Sequence, residues 1–243
     1  MKLFDLDSSL MQALNKLADL MWLNILTVIF CIPVVTAGAS ITAMHYMALK
    51  MARNEECYIT RDFFKSFKLN FRQATIIWLL VLFVFFVLVG DFLIMKNTDF
   101  RFSAVIKVIL TVIAFLALFT YMFVFPVLAK FDNTIMRTIK NAFLIGILQF
   151  PKTVLMMVLS VTPLGLFLLF PQITPIIFVF GLSAPAWVSA KLYSNYFKRL
   201  EDQIAEANLP AEDFSEQTEG EEDERIFRDE LDESLVEESP INQ

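Results

Sequence analysis

The sequence predicts an all-α protein: a multi-pass transmembrane helix bundle of five spans, with an N-terminal amphipathic helix and a disordered acidic C-terminal tail. Three observations predict it. Of 243 residues, 57% are hydrophobic, where a soluble domain carries about 45–50%. The excess sits in apolar blocks long enough to cross a hydrocarbon layer of about 30 Å as helices. Charge is segregated: residues 1–200 hold 18 basic and 9 acidic side chains, and residues 201–243 hold 2 and 17. A basic body suits contact with anionic lipid headgroups. An acidic tail repels phosphate, which argues against nucleic acid as a partner.

Residues 3–20 place Leu6, Leu10, Leu14, Leu17 and Leu20 at helical spacing, with Asp7-Ser8-Ser9 as a cap. This segment is either an amphipathic helix on the membrane surface or an extension of the first span. The first apolar block runs over 21–43 and contains Pro33 and Gly38. Ala37-Gly38-Ala39 resembles a leader-cleavage site, but residues 1–20 hold three acidic and two basic groups. A leader has a basic flank, so no cleavage is expected. Helix breakers inside a span imply packing within a bundle, where neighbours satisfy the freed backbone groups.

Further spans are expected over 74–95, 103–129, 153–170 and 173–190, the last two separated by Pro171-Gln172. The connection from Lys50 to Arg72 holds six basic and three acidic residues, and that from Lys130 to Lys152 holds four and one. Basic connections stay in the cytoplasm. Five spans then put the N-terminus outside and the C-terminus inside, with Lys191, Lys198 and Arg199 in agreement. A short repeat, Pro33-Val-Val-Thr-Ala and Pro126-Val-Leu-Ala, would relate spans one and two to three and four. The domains are therefore a membrane body, 1–200, and an acidic tail, 201–243, whose composition cannot bury enough apolar surface to order it. Residues 222–237 carry Ile226, Phe227, Leu231, Leu235 and Val236 near helical spacing, as a transient helix or a segment that folds on a partner.

Few groups could carry chemistry. Asp91 and Lys107 sit at similar depths in spans two and three, either paired as intramembrane charges or snorkelling to the interface. His45 reads as interfacial, and Asn24 and Thr27 as glue between helices. One histidine and two cysteines, Cys31 and Cys57, form neither a disulfide framework nor a zinc site. No hydrolase, zinc-peptidase or phosphate-loop motif is present. No catalytic, metal or cofactor-binding residue is therefore assigned, no cofactor is expected, and the chain is not expected to be an enzyme. Asp62-Phe-Phe-Lys-Ser-Phe-Lys-Leu-Asn-Phe-Arg alternates aromatic and basic residues. Phe63, Phe64, Lys65, Phe67, Lys68 and Arg72 are the candidate contacts with a partner or with lipid headgroups.

The blocks Pro33-Val-Val-Thr-Ala-Gly38, Tyr46, Lys50, Asp62-Phe-Phe-Lys-Ser-Phe-Lys-x-Asn70-Phe-Arg-Gln and Pro126-Val-Leu-Ala-x-Phe-Asp132-Asn133 resemble, in order, the YesL family of bacterial integral membrane proteins. The resemblance covers about residues 1–200. It implies a cell-membrane protein, chiefly of Gram-positive bacteria, linked to sugar uptake through ABC-type importers and to glycan-degrading enzymes. It brings no catalytic or ligand-binding residues.

Two functions compete: an accessory or regulatory membrane subunit of a carbohydrate importer, and a small permease that moves a solute itself. A permease docks its ATPase through a cytosolic Glu-Ala-Ala loop with a downstream glycine. Asn141-Ala142-Phe143 with Gly146 lacks the acidic residue and the spacing. The lipid bilayer is the expected partner in either case. Nothing in the sequence sets the solute or the oligomeric state.

Overall fold

The structure is a computed structural model that describes residues 9–97 and 104–207. Expectations for residues 3–8 and 222–237 lie outside the described residues. Among the described residues every regular element is helical: α1 (Ser9–Cys31), α2 (Ala37–Ala52), α3 (Ile59–Asn97), α4 (Ala104–Lys130), α5 (Ile135–Leu148), α6 (Phe150–Leu169), α7 (Thr174–Phe180) and α8 (Ser183–Ala207). Single 3-10 turns at Val34–Thr36 and Pro171–Ile173 join α1 to α2 and α6 to α7. Four helices are long and apolar enough to cross a membrane, at Leu10–Cys31, Ile59–Ile94, Val105–Lys130 and Phe150–Leu169. The bent pair Pro171–Phe180 and Ser183–Ala207 makes a fifth if taken as one span. The chain divides into two units at Asn195 and Tyr196. Of the second, the residues up to Ala207 are described, and Glu201, Asp202 and Glu206 among them are helical.

The first apolar block is not one span over 21–43. Pro33 lacks the N–H that a continuing helix needs and disfavours helical backbone at Ile32. Helix α1 therefore ends at Cys31, and α2 starts at Ala37 and runs back. Residues 9–20 are the first half of α1, the extension rather than a separate surface helix. Lys16 Nζ donates to Asn54 Oδ1 at 2.8 Å, and Trp22 Nε1 to Thr60 Oγ1 at 2.8 Å. At the other end Trp78 Nε1 donates to the carbonyl of Val34 at 2.8 Å. So α1 runs beside the first half of α3 in the same direction, and α2 returns along it. Eleven of the 16 residues of α2 are buried. Its closest approach is Gly38, where an added Cβ would lie 2.5 Å from Trp78 Cβ and 2.6 Å from the Ala74 carbonyl oxygen.

Helix α3 merges two elements that the sequence separates: the basic-aromatic segment and span two form one helix of 39 residues. At 1.5 Å per residue it is about 58 Å long, nearly twice the hydrocarbon thickness. No proline interrupts it, so the commonest cause of a sharp kink is missing. Its second half and the facing part of α4 expose Phe83, Phe86, Phe92, Val105 and Val108. Acyl chains solvate such surfaces without cost.

The other half of α4 buries Phe119, Phe123, Phe125 and Leu128. Helix α5 packs there through Thr138, Ala142 and Gly146, small residues at four-residue spacing that let backbones approach closely. A Cβ at Gly146 would meet the Phe119 carbonyl oxygen at 3.0 Å. The order long, short, long occurs twice, as α1–α2–α3 and α4–α5–α6. The two proline motifs nevertheless differ in role, because Pro33 lies in a break and Pro126 inside α4.

The expected fifth span, 173–190, is broken as well. Pro185 has no N–H and sets its ring against the carbonyl four residues back, at Gly181. Helix α7 ends at Phe180, α8 starts at Ser183, and the two are bent by 57°.

Candidate functional site

Helix α3 sorts the basic-aromatic segment onto two faces. Phe63 is fully buried, and Phe30 of α1 meets Phe63, Phe64 and Phe67 at ring distances of 6.1, 5.2 and 5.3 Å. These aromatics hold α1 to α3, and Phe63 is thereby removed as a contact with a partner or with lipid. The expected helix lying in the headgroups is corrected too. Its aromatic face is turned inward, and its axis continues into the apolar half of α3.

The outward face is basic. Lys65, Lys68 and Arg72 are exposed, and so is Arg61, which the sequence reading passed over. At about 100° per residue the four cations fall within an arc of about 60°, roughly opposite the buried Ile59, Phe63, Ser66, Ala74 and Ile77. Along the axis they span about 16 Å. The same line continues as exposed Leu79, Phe83 and Phe86. The switch from cation to hydrocarbon between Arg72 and Leu79 marks the membrane boundary on this face.

The neighbouring acid does not neutralise the stripe. Asp62 accepts from Lys50 Nζ at 2.7 Å, with both side chains mostly buried. That hydrogen bond raises the Lys50 pKa above its ordinary value. Arg53 turns toward α8, with Nε donating to Ser194 Oγ at 3.2 Å. Lys191, expected as a cytosolic marker, sits 3.8 Å from the Trp187 ring centroid, a cation–π contact.

The second polar arrangement is inside the bundle. Asn24 is 1% exposed. Its Nδ2 donates to the Phe178 carbonyl at 2.7 Å, and the N–H groups of Leu182 and Ser183 donate to its Oδ1 at 2.9 and 3.0 Å. One amide thus meets three of the backbone groups that the α7–α8 break leaves open. Thr27 donates to the Leu23 carbonyl. Asn24 acts as the expected glue between helices, whereas the Thr27 hydroxyl is satisfied within its own helix.

The remaining residues stand apart. Asp91 is half-buried and Lys107 exposed, and among the described residues no ion pair joins them. His45 is half-buried, with its Nδ1 buried and without a hydrogen-bond partner among the described residues. Cys31 and Cys57 are free thiols. No group of three or more His, Cys, Asp or Glu among the described residues could hold a metal ion.

Stacked apolar helices with lipid-compatible faces and internally closed backbone breaks define a multi-pass α-helical membrane protein. Residues 20–92 match the family described as "Protein of unknown function, DUF624". The YesL-like resemblance is consistent with that family over those residues. No curated protein and no solved structure matches the chain.

Proposed function

We propose that this protein is a non-catalytic accessory or regulatory membrane subunit of an ABC-type carbohydrate importer in a bacterial cell membrane. In this reading it docks another protein through the cytosolic half of α3. The observation that carries the docking is the line Arg61, Lys65, Lys68 and Arg72, exposed opposite the buried face. An unopposed stripe of four cations suits an acidic protein surface. A headgroup layer adds about 5–8 Å to each side of the hydrocarbon. The stripe is about twice that long, so Arg61 and Lys65 stand clear of lipid. The connection to sugar uptake rests on the family resemblance, and no catalytic role is assigned to any residue.

Reversing all four charges to Glu is expected to leave membrane insertion and the detergent melting curve intact. It should remove at least nine-tenths of the protein that co-purifies with the wild type. Unchanged co-purification would end the docking reading. A second reading, a small permease, is favoured by the α7–α8 break, because discontinuous helices line many transport sites. Asn24, however, already spends its amide on the break. Uptake of a labelled sugar by liposomes containing this protein alone would establish the permease.

Orientation is tested on Cys57, in the connection between α2 and α3, within the Lys50–Arg72 stretch whose basic excess predicts a cytosolic side. It is expected to react with a charged, impermeant thiol reagent only after cells are opened. Burial, with Asp19 nearby, raises its pKa above the ordinary thiol value. Since the thiolate is the reactive species, labelling should quicken as the pH is raised to about 9. Reaction in intact cells would place this connection outside.

A further inference from the structure

We propose that α1, the Val34–Thr36 turn and α2 form a re-entrant hairpin that does not cross the bilayer. It enters and leaves on the side of the α2–α3 connection, and its tip reaches the acyl-chain edge of one leaflet. The inference is independent of the docking reading.

Four observations support it. First, the mouth of the hairpin is at one end: Lys16 bonds Asn54 and Trp22 bonds Thr60, so the middle of α1 lies level with the residues that end α2 and start α3, and its start lies beyond them on the same side. Second, the return leg is short. The 16 residues of α2 span about 24 Å, less than the hydrocarbon core of about 30 Å. Third, the tip is apolar outside and closed inside. Ile32 is 75% exposed, with Val34 and Val35 beside it. The carbonyls of Phe30 and Pro33 accept from Thr36 Oγ1 at 2.6 and 2.9 Å. Those of Val34 and Val35 accept from Trp78 Nε1 and Thr75 Oγ1 at 2.8 and 3.4 Å. Irregular backbone in water needs no such side-chain donors, because water supplies them, whereas in lipid each carbonyl must find one in the protein. Fourth, the donors Thr75 and Trp78 sit where the cations of α3 give way to exposed Leu79. The tip is therefore level with the membrane boundary read from α3 alone.

The consequence reverses the N-outside expectation: the start of α1 lies on the cytosolic side, with Cys57. The test uses full-length protein with Cys31 and Cys57 replaced by Ser, and one reporter cysteine at a time. Asn15→Cys, exposed on α1, is expected to react with a charged maleimide only after cells are opened. Thr98→Cys, between α3 and α4, is expected to react in intact cells. Val34→Cys and, as a second tip position, Ile32→Cys should resist the charged reagent in both states and react with a membrane-permeant one. A bimane label there should be quenched at least twofold more by shallow than by deep nitroxide lipids. Labelling of Asn15→Cys in intact cells would restore the single crossing and overturn the hairpin. Labelling of both tip cysteines by the charged reagent in opened cells would leave the tip in water and overturn its seat in the leaflet.

Discussion

Gly38→Ala is expected to destabilise the protein by about 3 kcal/mol, the upper range for overpacking a rigid contact, and Gly38→Leu to abolish the folded state. The new methyl would lie 2.5 Å from Trp78 Cβ and 2.6 Å from the Ala74 carbonyl oxygen. Both are fixed by the α3 backbone, so no side-chain rotation relieves the clash. Either α2 moves off α3, or Trp78 moves and leaves the Val34 carbonyl without its donor. Gly90 and Gly165 supply the control, because a Cβ at either meets nothing within 4 Å. Gly90→Ala and Gly165→Ala should be neutral or slightly stabilising, by up to about 1 kcal/mol from helix propensity. The measurement is the thermal midpoint of detergent-solubilised protein followed by size-exclusion chromatography. A Gly38→Ala midpoint equal to wild type would show that the close approach does not exist.

Asn24→Leu is expected to carry the second large effect. The substitution keeps the branching and the number of side-chain heavy atoms, adds some bulk, and strips partners from the Leu182 and Ser183 N–H groups and from the Phe178 carbonyl. An unsatisfied buried group costs about 1–3 kcal/mol. Measured side-chain hydrogen bonds in membranes reach at most about 1.7 kcal/mol each. A loss of about 2–4 kcal/mol follows, with the bend between α7 and α8 no longer fixed. Hydrogen exchange separates this from a general loss of packing: the amides of Leu182 and Ser183 should exchange at least tenfold faster, with those of α4 unchanged. Thr27→Val, which removes one bond within a helix turn, should fall well below it in both readouts. Equal protection of Leu182 and Ser183 in wild type and Asn24→Leu would refute the clamp.

The helices whose apolarity is uninterrupted were legible in the sequence. Blocks 74–95, 103–129 and 153–170 became the apolar parts of α3, α4 and α6 because hydropathy and length alone specify a spanning helix. Block 21–43 was misread in its bounds because hydropathy alone does not show that the chain breaks after Cys31 and turns back at Ala37. Pro33 carried the local signal, but the direction of α2 is set by Lys16, Trp22 and Trp78 meeting Asn54, Thr60 and Val34, each at least 38 residues away. Pro185 carried the corresponding signal for the fifth block.

The candidate contacts show the same division. Alternating phenylalanine and lysine announced an amphipathic helix. Which face turns inward depended on Phe30, more than thirty positions upstream, and so did the removal of Phe63 from the surface. Arg61 joined the stripe only once Asp62 was seen to be taken by Lys50.

The unbroken length of α3 has a mechanical consequence. Its first half is bound along its length to α1 and α2, through Trp22, Phe30, Lys50 and Gly38, so those two helices and the half-helix move as one body. Beyond Trp78 about 29 Å of α3 extends as a single lever. A tilt of that body by about 5° would carry the far end of the lever through about 2.5 Å. A protein that pulled on Arg61 and Lys65 would thus displace the helix at Asp91 without any segment in between changing its fold.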